Sequence, residues 1–133
     1  MISDLMGGQI DYSFETMTSA APHVKSGKVV AIAQTGLARA KAQPDVATVA
    51  ESGFPGFDAK VWYGLAGPRG LPDALVQAMN KDVNEALLVP AVAEKLVSFG
   101  AEDGGGSAAQ FTAFIASEKK KWTQVIRDAK VTA

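Results

Sequence analysis

Apolar and polar side chains alternate along Ile10-Asp11-Tyr12-Ser13-Phe14, the period-2 mark of a short strand over 10–14. The run from Val29 is apolar and partly β-branched, which predicts a second, buried strand over 29–34. Ala59 to Ala66, with Val61, Trp62 and Tyr63, predicts a third over 59–66. Between the first two, Ser19 can cap a helix over 19–26, with Pro22 in its first turn, where a missing N–H costs nothing. Gly27 is its stop signal.

The period then changes. Leu75, Val76, Met79, Val83, Ala86 and Leu87 recur at steps of three and four and predict a helix over 72–88. Pro72 would be its first residue, with Asp73 favourably set against the helix dipole. Pro90 opens a helix over 90–99 that turns Val92, Leu96 and Val97 inward and stops at Gly100. A capping box, Ser107 to Gln110, opens the longest helix, 107–129. One side of it carries Phe111, Phe114, Ile115, Glu118, Trp122, Val125 and Ile126, while Lys119 to Lys121 sit mostly on the other. Thr48 and Glu51 have the same box spacing and predict a one- or two-turn helix that ends at Gly53. Ile2, Leu5 and Met6 read as the last turn of a helix before Gly7-Gly8, 36–43 as a surface loop, and Gly104 to Gly106 as a flexible connection. Strands and helices in this order make the fold class α/β.

Composition narrows the chemistry. The 133 residues fit one domain's worth of chain, and 13 Lys and Arg against 14 Asp and Glu leave a formal charge of −1. No basic face is implied, so nucleic acid is not an expected partner. The chain has no cysteine, which excludes disulfides and thiolate chemistry. No apolar run approaches the ~20 residues of a membrane span. Met1 to Gly8 lacks the charged and apolar regions of a signal peptide, which taken literally predicts a cytoplasmic protein.

Catalytic and metal constellations are not expected. The one histidine, His23, lies in the first turns of the helix predicted over 19–26, with no Ser–Asp arrangement in readable spacing. Asp4, Asp11 and Glu15 are not spaced like an oxygen-ligand loop, and the three glycines lack the Gly-Lys-Ser/Thr ending of a phosphate loop. What remains is the turn Glu15 to Ser19, with one carboxylate and the hydroxyls of Thr16, Thr18 and Ser19. A turn that leaves a strand and enters a helix leaves backbone N–H groups pointing outward, which binds anions, carboxylates included.

An ordered series of short motifs then carries a resemblance. Gly7-Gly8-Gln9-Ile10-Asp11, Phe14-Glu15, Ser19 to His23 with Gly27-Lys28, and Pro44-Asp45-Val46 with Thr48 and Glu51-Ser52-Gly53 lead into Trp62-Tyr63-Gly64, Gly67 to Gly70 and Trp122. In order and spacing the series resembles the Bug-type extracytoplasmic receptors of tripartite tricarboxylate transporters, over nearly the whole chain. The resemblance implies a piece of a two-lobed periplasmic binding protein (type II) fold. Residues 1–58 would be a remnant of the second lobe and 59–133 the return into the first.

It also implies a function: no enzyme and no cofactor, but capture of a small carboxylate and its delivery to the subunits of a membrane transporter, in the periplasm. In such receptors the strand-to-helix turn of the second lobe faces the cleft, and by position Glu15, Thr16 and Ser19 are the ligand contacts, with Trp62 cleft-adjacent. The family commonly has aspartate and then Asn-Leu-Pro where this chain has Glu15-Thr16-Met17-Thr18. The alternative is a cytoplasmic effector-binding domain of a transcription regulator with the same fold. Because the family is about twice this long, the chain is expected to be a fragment whose uncovered apolar faces form a homo-oligomer, most simply a dimer.

Overall fold

The computed structural model describes residues 1–101 and 104–131. In chain order the helices are α1 (Ile2–Met6), α2 (Met17–Lys25), α3 (Asp73–Leu87), α4 (Pro90–Ser98) and α5 (Ala108–Asp128). All five coincide with predicted segments to within two residues or so. The predicted strands do not form. Residues 10–14, 29–33 and 59–66 run without helix or ladder, and the described residues contain one isolated parallel bridge, Gln34 to Thr48. An extended segment becomes a strand only when another segment supplies a run of hydrogen-bond partners, and here the Ala59 N–H reaches the Thr35 carbonyl at 2.8 Å without a ladder following.

The chain divides into two compact units, Met1–Tyr63 with Pro90–Asp103, and Gly64–Val89 with Gly104–Ala133. The first unit is organised by the side chain of Gln34. Its amide donates to the carbonyls of Gln43 at 2.7 Å and Val46 at 2.8 Å and accepts the Ala40 N–H at 2.8 Å. The loop over 36–43, which lacks any apolar period, is held by this amide together with the Leu37 N–H on Asp58 and the Arg39 side chain on Glu51. The Thr48–Glu51 box forms as expected: the Thr48 N–H donates to Glu51 at 2.7 Å and the Glu51 N–H to the Thr48 hydroxyl at 3.1 Å. It opens a single turn, closed by the Ser52 N–H on the Thr48 carbonyl at 3.1 Å.

In the second unit α3 packs on α5. The glycines ahead of α5, expected to be a flexible connection, are a shaped joint instead. Gly105 and Gly106 have φ of 105° and 114°, a region that favours glycine. Gly106 donates to Asn84 Oδ1 at 2.8 Å, and its carbonyl accepts from Asn80 at 2.9 Å and Asn84 at 3.0 Å. The Ser107 box follows at once, with both reciprocal bonds in place. Glu118, which shares the apolar side of α5, accepts the Trp122 indole N–H at 3.0 Å, and this explains a carboxylate on that face.

No hydrophobic side chain among the described residues is fully buried, and Thr48 alone is wholly removed from solvent. Leu75, Met79 and Val83 of α3 and Phe114, Trp122 and Ile126 of α5 are all at least 40% exposed. Amphipathic stripes have formed without the surface that would cover them.

Candidate functional site

The turn into α2 is built outward from Thr16. Its backbone is extended (φ −69°, ψ 150°), and its carbonyl accepts the N–H groups of Ser19 at 3.0 Å and Ala20 at 2.9 Å. Its hydroxyl also accepts the Ser19 N–H, at 3.4 Å. Thr16 is thus the N-cap, three residues before the expected cap. Ser19 lies within the first turn, its N–H committed to Thr16, while its hydroxyl has no hydrogen-bond partner among the described residues. The shift puts Pro22 in the second turn, so the Thr18 carbonyl loses its usual donor. It also puts His23 in the last turn rather than in the first turns, where the negative end of the dipole suits a basic group.

Two donors remain at the start of α2. The N–H groups of Met17 and Thr18 come before any helix carbonyl they could reach, and no described residue accepts from them. Glu15 stands beside them, half-buried, its carboxylate accepting the Ser13 hydroxyl at 3.0 Å. The structure therefore joins Thr16 and Ser19 through a hydrogen bond and sets Glu15 next to them in the same turn. Trp62 belongs to the extended segment at 59–66 and is 41% exposed.

Two long-range contacts of this turn escaped the sequence reading. Thr18 donates its hydroxyl to the Phe99 carbonyl at 2.6 Å, across 81 positions of sequence. The Met17 side chain packs where a side chain on Gly100 would otherwise stand. Both contacts tie α2 to the end of α4. The only local signal was the presence of two cap-capable residues before Ser19, and a partner 81 residues away has no local signature.

The 34–51 loop holds a strongly perturbed carboxyl, that of Glu51. The Arg39 guanidinium donates to both carboxylate oxygens of Glu51, at 3.1 and 2.9 Å, and to the Pro44 carbonyl at 3.0 Å. Together with the Thr48 N–H this lowers the Glu51 carboxyl to about 2. Among the described residues no cluster of His, Asp and Glu could hold a metal ion, and no helix is long and apolar enough to cross a membrane.

Residues 1–131 match the family described as tripartite tricarboxylate transporter family receptor, TctC. The chain belongs to this family. It is 33% identical over 127 residues to protein BugT of Bordetella pertussis, covering 96% of this chain and 39% of that protein. A protein of Pseudomonas sp. from the tcbD-tcbE intergenic region is 32% identical over 133 residues, covering 99% of this chain and 40% of that protein. Among solved structures, R. palustris Rpa4515 with adipate superposes with a TM-score of 0.86 at 27% identity. The periplasmic binding protein BugD does so with 0.84 at 30%. Each superposition covers 98% of this chain and 44% of the other.

The chain thus spans about two fifths of the length of these relatives. Its fold is part of the α/β fold of the two-lobed periplasmic binding proteins, and its relatives are solute-binding receptors rather than enzymes.

Proposed function

We propose that this TctC/Bug-family chain contributes a carboxylate-binding turn to a receptor that delivers its ligand to a tripartite membrane transporter from the periplasm. The observation that carries this reading is the start of α2, where two unpartnered N–H groups, Met17 and Thr18, lie beside the free Ser19 hydroxyl. Such a terminus carries roughly half a positive charge and accepts a carboxylate directly. Like charge keeps the ligand's carboxylate off Glu15 and steers it to the N–H pair. The relative solved with adipate supports a small carboxylate as the ligand class. Binding and release break no covalent bond, so the reading needs no nucleophile, base or metal, and the chain is no enzyme.

In the same reading residues 1–58 belong to the second lobe and 59–133 lead into the first. α4 is the exception, because Pro90–Asp103 cluster with Met1–Tyr63. Trp62 is the cleft-adjacent residue in this reading. The three extended segments find their strand partners in the rest of a longer receptor or, in this chain alone, in a second copy.

Titration calorimetry with adipate tests the site. Ser19→Ala should weaken binding by about 1.5–3 kcal/mol, the worth of a hydrogen bond to a charged group. Adding Thr16→Val should weaken it further by loosening the cap. Unchanged affinity in both variants moves the site elsewhere.

A further inference from the structure

The end of α4 is a Schellman turn: the Gly100 N–H donates to the Val97 carbonyl at 2.8 Å and the Ala101 N–H to the Leu96 carbonyl at 3.0 Å. Gly100 has φ of 74°, as that motif requires. The motif satisfies the carbonyls of Leu96 and Val97 but leaves that of Phe99, the residue before the glycine, without a donor from α4. Thr18 supplies it, through a hydroxyl at 2.6 Å. The absence of a Cβ at Gly100 admits the Met17 side chain to the same point. The Lys95 ammonium lies over the Phe99 ring, 4.9 Å from its centre.

We infer that Thr18, Met17 and Gly100 form a latch that positions the start of α2 and makes α4 the element that senses its occupancy. The inference rests on the carboxylate reading of that turn only for the ligand, since the latch itself is visible in the contacts. Met17 and Thr18 have two jobs divided between backbone and side chain. Their N–H groups point past the helix start, while their side chains are spent on α4. Thr18 is therefore a positioning residue: its hydroxyl, engaged with Phe99, leaves its N–H as the group offered to an anion.

The connectivity makes this consequential. α4 groups with Met1–Tyr63, but the segments on either side of it, Gly64–Val89 and Gly104–Ala133, form the other unit. A shift of the α2 start on binding is thus passed to a helix whose two ends lead into that unit.

Amide hydrogen exchange on the protein separates the latch from the ligand. Without ligand, Thr18→Val, which keeps the shape and removes the hydroxyl, should speed exchange of the Gly100 and Ala101 amides roughly 2- to 10-fold, the range set by one modest hydrogen bond. Thr18→Ser should restore the parent rates. With adipate, the parent should gain protection at 16–20 and at 96–101 together, whereas Thr18→Val should gain it at 16–20 alone. Parent-like exchange of Gly100 and Ala101 in Thr18→Val overturns the latch, and so does failure of Thr18→Ser to rescue. Protection at 16–20 without 96–101 in the parent overturns the sensing role. If adipate protects neither segment, the carboxylate reading fails, and the ligand-free rates alone decide the latch.

Discussion

Gln34 and Thr48 form the one parallel bridge among the described residues, with the Gln34 N–H on the Ala47 carbonyl at 2.9 Å and the Val49 N–H on the Gln34 carbonyl at 2.8 Å. The same glutamine holds the 36–47 loop with its side chain, and Thr48 is the one residue it leaves with no exposure at all. A single residue thus uses its backbone to place a partner and its side chain to fold the loop between them.

Gln34→Ala should release that loop. The Ala40 N–H loses its acceptor, and the carbonyls of Gln43 and Val46 lose their donor, at about 0.5–1.5 kcal/mol for each bond. Faster exchange at Ala40, measured by NMR, is the expected outcome. An unchanged rate at Ala40 would show that the amide is incidental.

The Glu51 carboxylate gives the same loop an acid dependence. Its folded value of about 2 lies below the ordinary 4.5. A depressed carboxyl contributes stability that is present above its unfolded value and is lost as pH falls through its folded value. The loop should therefore loosen between about pH 4.5 and 2, seen as a falling protection factor at Thr48, the rate relative to that of an unfolded chain at the same pH. Glu51→Gln should remove this dependence and leave Thr48 less protected at neutral pH.

Gly64 faces the Phe111 ring so closely that a methyl group there would overlap it. Gly64→Ala should destabilise the second unit by about 1–3 kcal/mol, the usual cost of overpacking. Thermal denaturation followed by circular dichroism reads it. Replacing Phe111 with leucine in the same chain should recover part of the loss, which separates overlap from any backbone effect.

The exposed stripes of α3 and α5 lead to an expectation for the chain by itself. Apolar stripes of this kind are rarely left to water, and the extended segments at 29–33 and 59–66, which form no ladder, offer edges for pairing. Light scattering over a concentration series should give a mass above 13.8 kDa. A monodisperse monomer that unfolds cooperatively would refute self-association.

Helices were legible because their signals are local. The three- and four-residue steps from Leu75 to Leu87, and the Ser107–Gln110 and Thr48–Glu51 boxes, draw every participant from within a few turns of chain. Alternation at 10–14 was equally clear as a pattern. It predicts which face a strand would show, yet pairing needs a neighbour that no local pattern supplies. The role of the 34–48 loop was illegible for a related reason. Gln34 has nothing in its immediate sequence to mark it, and its partners become neighbours only after the chain has turned back.

The sequence by itself determined the helices, the capping boxes at Thr48 and Ser107, the motif series of the receptor family, and the polar turn from Glu15 to Ser19. Tertiary structure decided where α2 begins. Local rules favour Ser19 as its cap, because Pro22 then falls in the first turn, where it costs no hydrogen bond. The helix starts at Met17 instead, capped by Thr16, with the Thr18 hydroxyl on the Phe99 carbonyl and Met17 against Gly100. Those contacts, the first of them across 81 positions, offset the bond that Pro22 cannot make. Each is a short-range force between groups that only the folded chain brings into reach.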